Sequence, residues 1–185
     1  MAMKKAKVRP RTWNSTDAAA AAKDFFRQCR NSQARKTAIR ELIGELCSGD
    51  PLDHRCAAEL ARLVSRREPG ILGAYGDVLA EVAADLPIEE WQARGYVIVA
   101  AALNTTTRPR RLRLLPLVRA RLAEDRIAVR AMALEAFAIL AANEPELRGE
   151  AMAMLEEARH SSEPAMRARA RLMLPIVLKA ESQSG

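Results

Sequence analysis

The sequence is poor in the residue types that build sheets and most catalytic sites. Aromatic residues make up only 4% of the 185 residues, and there are 8 glycines and 2 histidines. Few aromatic residues and few glycines argue against a β-sheet fold. No glycine-rich phosphate loop is present, and His54 and His160 have no serine and acid at a spacing that suggests a triad. We therefore expect no enzyme activity and no cofactor.

Cysteines and long apolar runs are also scarce. The three cysteines, Cys29, Cys47 and Cys56, form no Cys-x-x-Cys pair, which is typical of small buried side chains in a reducing compartment. Cys47, His54 and Cys56 match no common zinc spacing, so no metal site is expected. No stretch approaches the roughly 18 apolar residues of a membrane span. The sequence predicts a cytoplasmic protein that does not bind membranes.

Helix-forming residues dominate what is present. The chain contains 36 alanines, 24 arginines and 21 leucines, and all three residue types are strong helix formers. A chain of this length buries roughly 70% of the surface that its unfolded form exposes. The composition therefore predicts an all-α fold with its own hydrophobic core.

The net charge of +7 is unevenly distributed. Residues 1–16 hold five basic residues and no acid, whereas the remainder is nearly neutral. We expect a basic disordered tail over 1–16, a single helical domain over 17–181 and a disordered C-terminus over 182–185. The tail is interpreted as a solvated arm; the alternative is an arm for nucleic acid or an acidic partner, with Trp13 as a stacking residue.

Apolar spacing and capping residues predict nine helices. Asp50 is expected to cap the third helix, with Pro51 at its first position. The stretch from Tyr96 to Leu103 is apolar on every side, so its helix must be covered all round. The predicted helices span about 17–30, 33–48, 51–67, 69–86, 88–104, 108–123, 127–142, 145–160 and 164–180.

The chain also contains an internal repeat. An offset of about 37 residues places Val129 and Arg130 on Met166 and Arg167, and an offset of about 36 places Arg94 on Arg130. Apolar positions coincide under both offsets. The pattern predicts about four helical hairpins, each of which buries its apolar stripe by stacking on its neighbours.

One repeat unit carries a family resemblance. The stretch 114–118 with Pro116 inside it, followed by Asp125 and then Val129 and Arg130, resembles a HEAT repeat. The resemblance extends over about three quarters of the chain and implies a right-handed α-α superhelix of about four HEAT-like hairpins plus an N-terminal helix. It also implies that an arginine and a turn acid tie each repeat to the next; a ladder holding phosphates or carboxylates is the alternative. The residues concerned are Arg55, Arg94, Asp125, Arg130 and Arg167.

The second helix of each hairpin carries a row of positions turned away from the expected core. If these positions line the concave side, they form a small apolar groove with Glu135 as its lone charge, suited to a peptide or a helix. Trp91 is a candidate anchor beside this row. The alternative is that superhelix curvature buries the row. The predicted partner-binding residues are Trp91, Gly95, Val99, Ala131, Glu135, Ala168 and Leu172.

A second candidate surface is an arginine-rich helix. Six arginines and no acid lie within residues 108–121. The arginines of this helix either form a solvated face whose positive charge is offset by acids of other helices, or they form a polyanion-binding surface. The leading hypothesis is a non-enzymatic scaffold that binds a protein or peptide. The alternative is nucleic-acid binding through the tail and this helix, as in DNA-repair proteins built from HEAT-like repeats. The polyanion candidates are Arg108, Arg110, Arg113 and Arg121.

Overall fold

The computed structural model describes residues 15–48 and 50–183, and within these ranges every regular element is helical. Three short 3₁₀ turns precede α4, α5 and α8, at Gly73–Tyr75, Ile88–Glu90 and Pro145–Leu147. The prediction of an all-α fold is confirmed. The helices are α1 Ser15–Gln28, α2 Ser32–Leu46, α3 Pro51–Arg67, α4 Gly76–Asp85, α5 Trp91–Asn104, α6 Arg108–Leu122, α7 Ile127–Asn143, α8 Arg148–Arg159 and α9 Pro164–Ser182.

The start of α3 follows from its capping residues as predicted. The Asp50 side chain accepts hydrogen bonds from the backbone N–H groups of Leu52 at 2.8 Å and Asp53 at 3.2 Å. Pro51 stands at the first helical position, where its missing N–H costs nothing. The helix then runs to Arg67, the predicted end.

Other boundaries differ from the predictions. The helix expected from residue 69 begins only at Gly76, because Gly70 adopts φ +82° and residues 71–75 form turns. The helix α1 begins at Ser15, inside the stretch assigned to the tail, and α9 continues to Ser182. Residues 1–14, with the candidate Trp13, and residues 184–185 lie outside the described ranges.

The helices pack in two layers. The odd-numbered helices α1, α3, α5, α7 and α9 contact one another in series, and each of α2, α4, α6 and α8 packs against the odd-numbered helix that follows it. Helices α5 and α7 are therefore covered by neighbours on several sides. This accounts for the complete burial of Val97 to Ala101 on α5 and of Ala136 to Ala138 on α7.

A buried asparagine joins the end of α5 to α3 and to the turn before α4. Asn104 Nδ2 donates to Ser65 Oγ and to the carbonyl oxygen of Ala100, both at 2.7 Å, while its Oδ1 accepts from the Leu72 N–H at 2.7 Å. All three hydrogen bonds are buried, so they fix where the chain turns at the C-terminal end of α5. In the described part of the chain, no helix has both the length and the apolar content that a membrane crossing requires.

Candidate functional site

An apolar cleft of about 700 Å³ opens over the C-terminal parts of α5 and α7. Its floor consists of side chains from these two helices. One wall belongs to α9, and the opposite wall is formed by the end of α3 and the turn that follows. The lining includes Ala102 and Leu103 of α5, Ile139 and Ala142 of α7, Leu172, Met173 and Ile176 of α9, and Arg66, Pro69 and Gly70.

The α9 wall presents large apolar side chains to solvent. Leu172 is 45% exposed and Ile176 is 41% exposed, although both line the cleft. Leu178, on the same helix, is 49% exposed but does not line the cleft. An apolar concavity with exposed leucine and isoleucine on one wall can bury the apolar side chains of a partner.

A buried carboxylate holds one end of the cleft together. Glu135 of α7 is only 1% exposed, and its Oε1 accepts hydrogen bonds from Arg66 of α3, through Nε at 2.8 Å and through Nη2. Arg169 of α9 places Nη1 2.9 Å from Glu135 Oε2, as an ion pair whose alignment falls short of a hydrogen bond. One glutamate thus links α3, α7 and α9.

The Arg66–Glu135 pair passes over α5, because α5 packs between α3 and α7. The residues of α5 predicted for the concave row, Gly95 and Val99, are small and buried. At Gly95 the two helices approach closely, since a Cβ there would stand 3.1 Å from Met132 Cγ of α7. Small side chains on α5 therefore permit both the close helix contact and the crossing ion pair.

Further charges extend this cluster along α3. The guanidinium of Arg62 stands over the Tyr96 ring, 4.8 Å from its centroid, and its Nη2 lies 3.7 Å from Glu59 Oε1. Burial lowers the pKa of Arg62 and Arg169 below the usual arginine value and raises the pKa of Tyr96 above that of an exposed tyrosine. The cluster comprises Glu59, Arg62, Arg66, Glu135 and Arg169, three guanidinium groups with two carboxylates.

The predicted concave row is open only in part. Ala168 and Leu172 are exposed on α9, and Trp91 is half-buried, with the Arg126 guanidinium 5.7 Å from its ring centroid. The other four positions lie within helix contacts, as in the alternative that curvature buries them. They are Gly95, Val99, Ala131 and Glu135. The first three offer no surface to a partner in this structure, whereas Glu135 borders the cleft with only 1% of its surface exposed.

The expected tie between Asp125 and Arg130 is absent from the described residues. Asp125 is exposed, and the preceding Glu124 takes the role instead: its Oε1 accepts from Arg94 Nη2 at 2.8 Å and from Arg121 Nη1 at 2.9 Å. Arg167, the last member of the arginine series, contacts backbone carbonyl oxygens rather than an acid. Arg167 Nη1 donates to the carbonyl oxygens of Ser161 at 2.8 Å and Ser162 at 2.6 Å, and Arg55 is half-buried on α3.

Each arginine of α6 has a carboxylate partner on another element or in the following turn. Arg121 is also buried and donates from Nη2 to the Ala83 carbonyl oxygen at 3.0 Å, so this candidate for polyanion binding is enclosed. The ion pairs are Arg108 with Glu144 at 3.2 Å and Glu146 at 2.6 Å, Arg110 with Asp77 at 2.9 Å, Arg111 with Glu144 at 2.6 Å, Arg113 with Asp77 at 3.2 Å, Arg119 with Glu150 at 2.7 Å, and Arg121 with Glu124 at 2.9 Å.

Sequence reasoning missed Arg66 and Arg169 as members of the site. The sequence did indicate that Glu135 needs a partner, because α7 is largely apolar. Only two of its 17 residues are charged, Arg130 and Glu135. A glutamate on such an apolar helix requires a buried cation or a hydrogen-bond donor. The sequence alone does not say which of the 24 arginines supplies it.

The described part of the chain holds no group of three or more histidine, cysteine or acidic side chains that could bind a metal ion. The cysteines differ in environment, with Cys56 buried, Cys29 half-buried and Cys47 exposed, and all three are free thiols. Comparison of the chain with protein-family models, with curated proteins and with solved structures found no match. The cleft is therefore interpreted from its own geometry.

Proposed function

We propose that the chain is a non-enzymatic HEAT-like scaffold that binds a protein or peptide segment in the cleft over α5 and α7. The single observation that carries the proposal is the cleft itself, which is apolar, has a volume of about 700 Å³ and is walled by exposed leucine and isoleucine. Fully burying an aliphatic side chain contributes roughly 1.5–3 kcal/mol, so a few such contacts sustain binding of a short segment.

The HEAT-like superhelix is part of the same proposal. The odd-numbered helices contact one another in series, and α3, α5, α7 and α9 each have one preceding partner helix. These contacts support a linear stack of hairpins with a 36- to 37-residue period. In such a stack one face of the second helices is free of partner helices. The cleft lies on the odd-numbered layer, which agrees with that arrangement. A cytoplasmic location is proposed with it, on the basis of the three free cysteines.

Nucleic-acid binding through the tail and α6 has less support. A phosphate would have to compete with the carboxylates that already pair with the arginines of α6. Filter binding of duplex and single-stranded DNA to the full chain tests this alternative. Retention that falls by orders of magnitude between 50 and 200 mM salt would favour it over the scaffold.

A peptide selection tests the scaffold directly, with two matched variants. A phage-displayed library of random 12-residue peptides is panned against the wild-type protein, and each enriched peptide is then tested on Leu172→Glu and Leu178→Glu. Both leucines lie on α9 with similar exposure, but only Leu172 lines the cleft. We expect enriched peptides to bind wild type and Leu178→Glu and to lose at least about tenfold in affinity on Leu172→Glu.

Two outcomes of this selection would contradict the proposal. One is the absence of any enriched peptide. The other is a set of peptides that bind Leu172→Glu as tightly as they bind wild type. Thermal unfolding of both variants serves as a control, because a half-exposed leucine on a helix surface tolerates glutamate with little loss of stability.

A further inference from the structure

The charges at one end of the cleft are unbalanced in their access to solvent. Glu135 is 1% exposed, whereas the side chains of its partners Arg66 and Arg169 are 30% and 20% exposed. Arg66 lines the cleft, so its guanidinium is accessible there, whereas Arg169 is partly exposed outside the lining; the anion that they share is buried. Any group that enters this end of the cleft meets positive charge.

The donors of these arginines are not exhausted. Arg66 uses Nε and Nη2 on Glu135, and none of the described residues accepts a hydrogen bond from its Nη1. Arg169 donates from Nη2 to the Met132 sulfur at 3.5 Å, and sulfur is a weak acceptor. Guanidinium groups with free N–H donors are the usual partners of carboxylates in proteins.

Other charges near the cleft do not cancel this surplus. Arg62, close to Arg66, is offset by Glu59, whose Oε1 lies 3.7 Å from its Nη2, although the Arg62 Nε is buried without a hydrogen-bond partner in the described part of the chain. Arg111, the remaining charged residue of the lining, is cationic and already paired with Glu144. The lowered pKa of Arg62 and of Arg169 is consistent with cations that are buried without full compensation.

We infer that the segment bound in the cleft is acidic as well as apolar: one of its carboxylates contacts Arg66, and its aliphatic side chains pack against Leu172 and Ile176. This inference rests on the proposed function and specifies its partner. The partner is a peptide rather than a nucleic acid because, among the described residues, the lining contains no aromatic ring on which a base could stack, while its α9 wall is apolar.

The peptides recovered from the selection described above provide the test. Those that lose affinity on Leu172→Glu are expected to share an aspartate or glutamate near aliphatic residues. One such peptide is synthesised in two forms, with the acid and with its amide, Glu→Gln or Asp→Asn. We expect the amide form to bind the wild-type protein about 10- to 100-fold more weakly, because it loses a charge-assisted hydrogen bond to arginine.

The protein side of the same contact is tested with Arg66→Gln. The acid and amide forms of the peptide should bind this variant with nearly equal affinity, because the discriminating guanidinium is absent. Measuring both peptides on wild-type protein keeps the test valid even if Arg66→Gln folds poorly. Equal binding of the two peptide forms to wild type would overturn the inference.

The outcomes separate this inference from the proposal on which it rests. Cleft-dependent peptides that are neutral or basic would overturn the inference and leave peptide binding in place. A selection that yields no cleft-dependent peptide would overturn both. Cleft-dependent acidic peptides with a strong preference for acid over amide would support both.

Discussion

The arginine-rich helix α6 and the cleft over α5 and α7 show how differently charge can be used in one small helical protein. On α6, six arginines lie within 14 residues, yet each is held by a carboxylate of another element or of the following turn. At the cleft, charges that are far apart in sequence converge on Glu135, and two of them remain accessible. A dense run of arginines thus does not by itself indicate free positive charge, because the compensating acids can come from other helices.

The largest loss of stability is expected when a charge is placed in the buried concave row. Changing Val99 to Asp places a carboxylate among fully buried apolar side chains on α5. We expect a loss of more than about 5 kcal/mol in the free energy of unfolding, enough to unfold most domains of this size. Circular dichroism during urea titration measures the loss.

The matched control at this position is Val99→Ala, which should cost only about 1–3 kcal/mol and retain the helical signal. A folded, soluble Val99→Asp protein would mean that this position is open in solution. The concave row would then be available to a partner after all, and the contrast between an enclosed row and an open cleft would be wrong.

Removing the shared carboxylate has the next largest effect. Glu135→Gln leaves Arg66 and Arg169 without their anion and is expected to destabilise the protein by about 3 kcal/mol. Both arginine side chains are partly exposed, which limits the loss of stability, because their guanidinium groups can turn toward solvent. Chemical unfolding of the variant beside wild type is the measurement. An unchanged unfolding midpoint would show that the pair does not hold α3 and α7 together.

The buried carboxylate that pairs with the arginines of α6 is expected to contribute less to stability. Glu144 is nearly fully buried and pairs with Arg108 and Arg111, but Arg108 is largely exposed. Glu144→Gln is expected to cost about 1–2 kcal/mol, since the amide oxygen can still accept one hydrogen bond from Arg111. A loss larger than that of Glu135→Gln, in the same urea titration, would reverse the ranking of the two regions.

The smallest effect is expected at an exposed pair on α6 and α8. Glu150 lies 2.7 Å from Arg119, and both side chains are well exposed. Glu150→Gln should change the free energy of unfolding by less than about 0.5 kcal/mol, because solvent screens exposed ion pairs. Thermal unfolding at low and high salt checks this, and a clear destabilisation by high salt in wild type but not in Glu150→Gln would show that the pair does contribute.

Much of the fold was predictable because local signals determine it. Asp50 and Pro51 specify the start of α3, and the apolar run from Tyr96 to Leu103 specifies a helix covered on all sides. The predicted start of α4 was wrong. The run from residue 69 onward has the apolar spacing of a helix, but this spacing does not reveal that Gly70 adopts a positive φ. Local patterns thus predict element types better than their first residues.

The candidate site was predictable in outline only. Glu135, Ala168 and Leu172 were identified from the repeat offsets, and Glu135 and Leu172 do line the cleft. Arg66 was missed because its contact with Glu135 joins residues 69 positions apart across an intervening helix. Such a contact depends on how the hairpins stack, and no pattern within one repeat encodes it.

The most direct test of the account is the position of a bound peptide. A peptide from the selection is titrated into ¹⁵N-labelled protein, and amide chemical-shift changes are mapped onto the structure. We expect changes at Leu103, Ile139, Leu172 and Ile176 around the cleft, with little change at Arg113 on α6. Changes concentrated at Arg110 and Arg113, with the cleft residues unaffected, would contradict it.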